Sequence, residues 1–380
     1  LVTSIPLFNN FYHRFMKNFL LISLAVVFIL AAGAFINPQS ARVSGEVLEI
    51  EDRGGRIVEV PHEPEEVIAV GSGAPRNVLY FTGVENIIGV EEGEVGSDDE
   101  LYRDYQLVYE ELREKPQIGP NHGGDSELIA RQDPDLIIHS GDVQDAEDLQ
   151  DRTEIPVVYL DFGDLHKYRD VLFDDWRILG EIFGEEDRAE ELIDFTEEII
   201  SDLESRGQEV TEEKRPEVFI GGMGHRGAHG LTSVRVPFPP LEFLDADHVA
   251  ERELDFDTVT QANVDREQLM LWDPDYIFMD SSNLNLVYDD MDRHDEFAAL
   301  KAVQKERTHT LLPYSSYHRQ FSNILANGYY IGSVIYPEAF EDVDPVDRAE
   351  EIMEVFLGEP VFEEQQEFFP SFEQINLLEK

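Results

Sequence analysis

The chain of 380 residues has no cysteine. Disulfides, thiolate metal sites, cysteine nucleophiles and a lipid-modified cysteine anchor are therefore excluded. Positive charge is scarce too: 29 Lys and Arg face 81 Asp and Glu, for a net charge of −52. Phosphate backbones need a basic footprint, so no nucleic-acid partner is expected. No nucleophile, base and oxyanion donors converge in the sequence, and nothing in it supports an enzyme. Paired Asp or Glu residues carry no catalytic signal in a chain this rich in acid.

What remains is a folding sequence. Its 42% hydrophobic and 11% aromatic content is too apolar for a disordered chain, and its length suits two to three domain-sized units. The acids run through almost every segment, which describes a solvated carboxylate coat rather than a charged tail. Salt screens the self-repulsion of such a coat, with a Debye length of about 3 Å at 1 M. A salt-loving, halophilic source is the expectation.

Residues 19–36, FLLISLAVVFILAAGAFI, form an uncharged apolar run behind His13, Arg14 and Lys17. A run of ~18 residues sits between a signal-peptide core and a membrane span. Read from Met16, it has the basic, apolar, small-residue order of an export signal, with Ala32-Gly33-Ala34 as a cleavage site. Residues 1–36 are thus expected to be a signal peptide or a membrane anchor. Either way the body is exported, and it is secreted or tethered outside the cytoplasm.

From residue 47 short apolar strands alternate with amphipathic segments. Strands are predicted at 47–50, 57–60, 67–70, 87–90, 136–139 and 157–160, and again at 218–220, 276–279 and 308–312, the pattern of α/β lobes with mainly parallel sheets. Between them, residues 168–205 carry an apolar stripe at three- and four-residue spacing that includes Leu172, Trp176, Leu179, Leu192, Ile199 and Leu203. That spacing marks a long amphipathic helix, with Gly180 and Gly184 as points where it kinks or splits. As one piece it would reach roughly 50 Å. Trp176 and Trp272 are expected in the core.

A faint repeat relates the two halves. Glu127 opens a short helix that ends in Asp133-Pro134-Asp135 before an apolar strand, and Glu267 opens another that ends in Asp273-Pro274-Asp275. Proline stops each helix by disfavouring the helical state of the residue before it. The natural reading is an α/β protein of two Rossmann-like lobes joined by a single long helix. The boundaries expected are 37–167 for the first lobe, 168–214 for the interlobe helix and 215–380 for the second lobe.

These segments, in this order, carry a family resemblance. The opening Gly54-Gly55-Arg56-Ile57-Val58-Glu59-Val60-Pro61, the following Glu65-Glu66-Val67-Ile68-Ala69-Val70-Gly71-Ser72-Gly73, the two Asp-Pro-Asp strand entries, Thr153-Glu154-Ile155-Pro156-Val157-Val158 and the long helix resemble the substrate-binding proteins of ABC importers for ferric siderophores, haem and cobalamin. The resemblance covers about residues 43–357. It implies a ligand cleft between the lobes, small opening motions and no resident cofactor. It also implies that one surface Glu on each lobe docks onto arginines of the importer's membrane subunits. The matching positions are Glu127 and Glu267, each seven residues ahead of its Pro. A Glu in a first helical turn is also a favourable dipole partner, so a plain capping role stays open.

Ligand-facing candidates lie at strand ends. In 221–230, GGMGHRGAHG, the glycines fit G-x-G-x-x-G, but LTSVRVPFPP follows where a dinucleotide site needs a helix. The loop better suits a cleft wall bearing His225, Arg226 and His229. Without a helix, the four-residue spacing of the two histidines gives little support to a zinc pair. Ser72 and Arg76 follow the first main strand, where Arg76 would meet an anionic ligand or join an ion pair. Asp161 ends another strand. Tyr314, Tyr317 and His318 offer hydrogen-bonding, iron-ligating or stacking groups, or pack locally as a Tyr-rich loop. The expected function is capture of an iron chelate, a ferric siderophore, by a monomer that delivers it to an ABC importer. Cobalamin, haem or another metal compound on the same fold is the alternative, as is a surface sensor without a transport role.

Overall fold

The computed structural model describes residues 46–95, 103–224, 229–254, 257–258 and 260–379. The apolar run at 19–36 and the rest of 1–36 lie outside them, as do His225 and Arg226. Among the described residues no helix is long and apolar enough to cross a membrane.

The chain opens with β1 (Val47–Glu51) paired with β2 (Ile57–Pro61). Buried Asp52 builds the turn, its Oδ1 accepting from the amides of Gly54 (2.9 Å) and Arg56 (3.0 Å). Then β3 (Val67–Gly71), β4 (Ile87–Gly89), β5 (Leu136–Ser140) and β6 (Val157–Tyr159) form a parallel sheet in the order β4-β3-β5-β6. The second half supplies β7 (Glu217–Gly221), β8 (Ser233–Val236), β9 (Asp247–His248), β10 (Thr260–Asn263), β11 (Tyr276–Asp280) and β12 (Thr308–Leu311). Of these, β12-β11-β7-β9 make a second parallel sheet, while β8 and β10 pair antiparallel beside it. A tight hairpin, β13 (Ser315–Ser316) with β14 (His318–Arg319), follows β12.

Alternation along the strands distributes the cores. Val67 and Ala69 of β3 face a central cluster, whereas Ile68 and Val70 face an outer one under the Ser126–Gln132 and Val143–Thr153 helices. The second sheet repeats this, with Val218, Ile220 and Phe278 turned to the centre and Phe219, Ile277 and Met279 outward. The central cluster is continuous across both lobes.

The internal repeat is real at the level of hydrogen bonds. Both short helices, Ser126–Gln132 and Arg266–Trp272, end on a left-handed Asp, Asp133 (φ 56°) and Asp273 (φ 44°). In each lobe the second Asp of the motif then clamps the neighbouring strand. The Asp135 amide donates to Glu66 O (2.7 Å) and its carboxylate accepts from Glu66 N (3.1 Å). Asp275 does the same with Glu217 (2.8 and 3.2 Å).

The long periodic segment is two helices, Arg169–Phe183 and Glu186–Gln208. Gly184 divides them at φ 69°, a conformation that costs any other L-residue roughly 1–2 kcal/mol. All six stripe residues named above are buried, as expected for one amphipathic face. The 23-residue second helix packs on its predecessor and on Phe321–Ile335 and Pro239–Phe243 of the second lobe. Trp176 is fully buried, and Trp272 is half-buried against the second lobe's outer core.

A Cβ at Gly184 would come 2.8 Å from the Glu63 carboxylate. Gly184→Ala is therefore expected to lower unfolding stability by about 1–2 kcal/mol. Denaturant titration in molar salt reads this as a shift of the midpoint at unchanged slope.

Candidate functional site

The loops at the C-terminal ends of the two parallel sheets meet along one seam, the place where open α/β sheets bind ligands. The β13–β14 hairpin carries the second lobe into the first. At its tip Tyr317 is held at φ 64°, and its carbonyl accepts from Ser72 Oγ. The Tyr317 hydroxyl donates to Glu91 Oε2 (2.5 Å) and accepts from the His122 amide (2.8 Å). Its ring lies under the Arg103 guanidinium, 4.6 Å from carbon to ring centre, with the His122 ring 5.0 Å away. Arg103 in turn pairs with buried Glu94.

Glu91 is the anchor of this clasp. It is fully buried, and its Oε1 also accepts from Gly123 N (2.7 Å) and Gly71 N (3.2 Å). Burial raises its pKa, and the three hydrogen bonds oppose that rise.

Beside the clasp lies a buried cationic cluster. Arg235, 8% exposed, places its guanidinium over the Tyr314 ring (4.6 Å) and donates to Gly224 O (2.9 Å). Arg319 donates to Gly163 O across the seam (2.8 Å). Among the described residues, neither guanidinium forms an ion pair. The Nε atoms of both, the Tyr314 hydroxyl and His318 Nδ1 are buried without a hydrogen-bond partner. Burial draws the Arg235 pKa down, and the His318 pKa falls well below its usual value for the same reason, helped by Arg319 and Arg76.

The other expected groups fall as follows. Arg76 is buried in an ion pair with Asp104 (2.9 Å) and also donates to Arg319 O (3.1 Å), so its charge is neutralised inside the first lobe. Asp161 is exposed at the seam, its amide held by buried Asp175 (3.1 Å). His229 lies half-buried ahead of β8. Glu127 and Glu267 are both exposed in the first turns of their equivalent helices. The structure thus brings Ser72, Tyr314, Tyr317 and His318 to one seam and leaves Arg76 beneath it.

Sequence reasoning missed Glu91, Arg103, Arg235 and Arg319. Only Arg235 had a readable signal: an arginine inside the apolar Val234-Arg235-Val236 run of a chain poor in positive charge.

Two α/β lobes, a rigid connection and a polar seam at the strand ends define a two-lobed solute-binding protein. The chain belongs to the periplasmic binding protein family, whose model matches residues 78–313. No curated protein matches the sequence. Among solved structures it is similar to the molybdate periplasmic binding protein MolA of Haemophilus influenzae bound to molybdate, at 17% identity and a TM-score of 0.66, over 83% of this chain and 98% of that one. It is also similar to the TroA-like periplasmic binding protein FepB of Veillonella parvula (18%, 0.61, 82% and 97%). A third likeness is Helicobacter pylori CeuE in its nickel–histidine complex (16%, 0.57, 85% and 98%). At these identities the likeness establishes the fold alone. Family membership makes this chain an extracytoplasmic solute-binding protein and not an enzyme, and its homologues work with the membrane components of ABC transporters.

Tyr317→Phe removes one donor from a buried carboxylate and is expected to cost about 1–3 kcal/mol at neutral pH. The folded pKa of Glu91 lies above its unfolded value. Its protonated form therefore favours folding at low pH, and that contribution is lost as pH rises through the folded pKa. The Tyr317→Phe penalty should accordingly shrink on acidification, read as the difference between wild-type and variant unfolding curves across pH.

Proposed function

We propose that this protein captures an anionic iron chelate of the ferric siderophore class in the interlobe seam and delivers it to an ABC importer. The supporting observation is the Arg235–Tyr314–Arg319 cluster. In a chain with 81 Asp and Glu, two guanidiniums are held at the seam without an ion pair among the described residues, with buried Asp280 the carboxylate whose field reaches Arg235. Buried cations of that kind favour an anionic guest. Tyr314, Tyr317 and His318 supply ring faces and acceptors, Ser72 and Asp161 belong to the opposite wall, and His229 belongs to the second lobe's side; His225 and Arg226, outside the described residues, are further proposed ligand contacts. The ferric chelate is cargo; no resident cofactor is part of this reading. The protein acts as a monomer, and residues 1–36 export or tether it.

Docking uses Glu127 and Glu267, which the repeated Asp-Pro-Asp clamps place equivalently on the two lobes. A small oxyanion is the second reading. It draws on the same cluster and on the fold shared with MolA, a molybdate-bound protein. Cobalamin, whose corrin ring carries neutral amide side chains, is less suited to paired guanidiniums, whereas the two propionates of haem would pair with them.

Fluorescence titration of the purified protein in molar salt separates these readings. The panel holds ferric hydroxamate and catecholate siderophores, haem, cobalamin and molybdate, with Trp and Tyr emission as the signal. A ferric chelate should quench saturably, and Arg235→Ala and Arg319→Ala should each weaken it about ten- to a hundredfold, the worth of a charged hydrogen bond. Saturation by molybdate alone would transfer the assignment to the oxyanion. Binding indifferent to both arginine substitutions would overturn the anionic reading.

A further inference from the structure

The β13–β14 hairpin is held differently at its two ends. Its base is fixed within the second lobe. The Tyr314 amide donates to buried Asp280 (2.9 Å), the Gln320 amide to Tyr314 O (3.0 Å), and the side chains of Gln320 and Asn323 to Pro313 O (3.0 Å each). Its tip is the single residue Tyr317, between the paired Ser316 and His318. The bonds of that tip run to the other lobe: Ser72 Oγ to Tyr317 O, the Tyr317 hydroxyl to Glu91 (2.5 Å), and Arg319 to Gly163 O (2.8 Å). A tyrosine keeps φ 64° only where its surroundings pin it. The tip also fills the space between the facing strand ends. A Cβ on Gly73 would come 2.7 Å from the His318 ring, so not even a methyl group fits between that loop and the hairpin. The buried groups left without hydrogen-bond partners, Tyr314 Oη, His318 Nδ1 and Arg319 Nε, belong to this hairpin, and a fourth, Arg235 Nε, belongs to the guanidinium stacked on Tyr314.

We propose that the β13–β14 hairpin is a strap standing in the guest's own place, latched by the Tyr317–Glu91 hydrogen bond, and that ligand enters by lifting the tip off Ser72, Gly73 and Glu91. This rests on capture of an anionic chelate at the seam, and it assigns to Glu91 control of affinity without contact with the guest. A latch of this kind taxes binding. Only the lifted fraction of molecules is competent, so the apparent Kd exceeds the intrinsic one by the inverse of that fraction. Weakening the latch therefore tightens binding, the opposite of what loss of a ligand contact does. The carboxylate and hydroxyl are shielded from solvent ions at the seam, so the latch persists in molar salt.

The test uses a ferric trihydroxamate and, in parallel, molybdate, both in molar salt. Tyr317→Phe keeps the ring that Arg103 covers and loses only the hydroxyl; Glu91→Gln removes the charge that the hydroxyl meets. Each should speed association and lower the apparent Kd about tenfold. A Tyr317 hydroxyl that bonds the guest would instead weaken binding in Tyr317→Phe and leave Glu91→Gln like wild type. A second readout needs no ligand, because the chain has no thiol of its own. Ser316 is 9% exposed on the strap, and maleimide labelling of Ser316→Cys should quicken about tenfold when Tyr317→Phe is added. Val303→Cys, 2% exposed in the second lobe's outer core, should label at an unchanged rate, which separates lifting of the tip from unfolding. Unchanged or weaker binding by both variants, or Ser316→Cys labelling indifferent to Tyr317→Phe, overturns the strap, while saturable wild-type binding still upholds capture. If wild type saturates with neither probe, capture of these anions is what fails, and the labelling rates alone decide whether the tip lifts.

Discussion

Burial of Val60, Ala69 and Ile138 from one lobe together with Val218, Ile220 and Phe278 from the other, around Trp176 and the Phe321–Ile335 helix, makes one apolar core out of two sheets. Neither sheet can keep that face wet, because both are parallel and need cover on each side. The interlobe helices are therefore structural members of the core and not a flexible linker. Once the back is fixed in this way, the strand ends at the front meet at a set distance, and the seam can be built from single side chains.

The polar chemistry of the seam follows from that enclosure. Polar groups held in a low-dielectric seam must be partnered or left at high cost. Most are satisfied: Glu91 gathers three donors, Arg76 has Asp104, and Asp175 holds the amides of Asp161 and Phe162 as well as Arg53. Burial still lifts the Asp175 pKa to about 6. Against that background Arg235 and Arg319 stand out, because neither guanidinium forms an ion pair among the described residues and the Nε atoms of both are buried without a hydrogen-bond partner. The carboxylate coat does the opposite work on the outside, where water solvates the charges and their net repulsion opposes self-association.

Short apolar runs, alternating along the chain with amphipathic segments, placed the nine predicted strands within a residue. The apolar stripe over 168–205 identified the interlobe helices, and the two Asp-Pro-Asp entries revealed the lobes as relatives. These features were legible because they are local: a strand or helix buried on a known face must repeat its apolar residues at its own period. Gly184, already a marked breaking point, became a true division through its left-handed backbone. The β8–β10 pair and the β13–β14 hairpin were not legible. Ser233–Val236 sits in a proline-rich stretch, and the hairpin strands are two residues each.

The site divides along the same line. The sequence by itself determined the fold class, the export-type leader pattern, the exclusion of thiol chemistry and the two equivalent glutamates, since each depends on composition or on neighbours a few residues apart. Only the tertiary structure decided that Arg76 faces Asp104 rather than a ligand, that Tyr317 is clasped by Glu91 across 226 positions, and that Arg235 and Arg319 share Tyr314. A charge takes its role from whatever occupies the next few ångströms, and in a folded seam those neighbours come from distant parts of the chain.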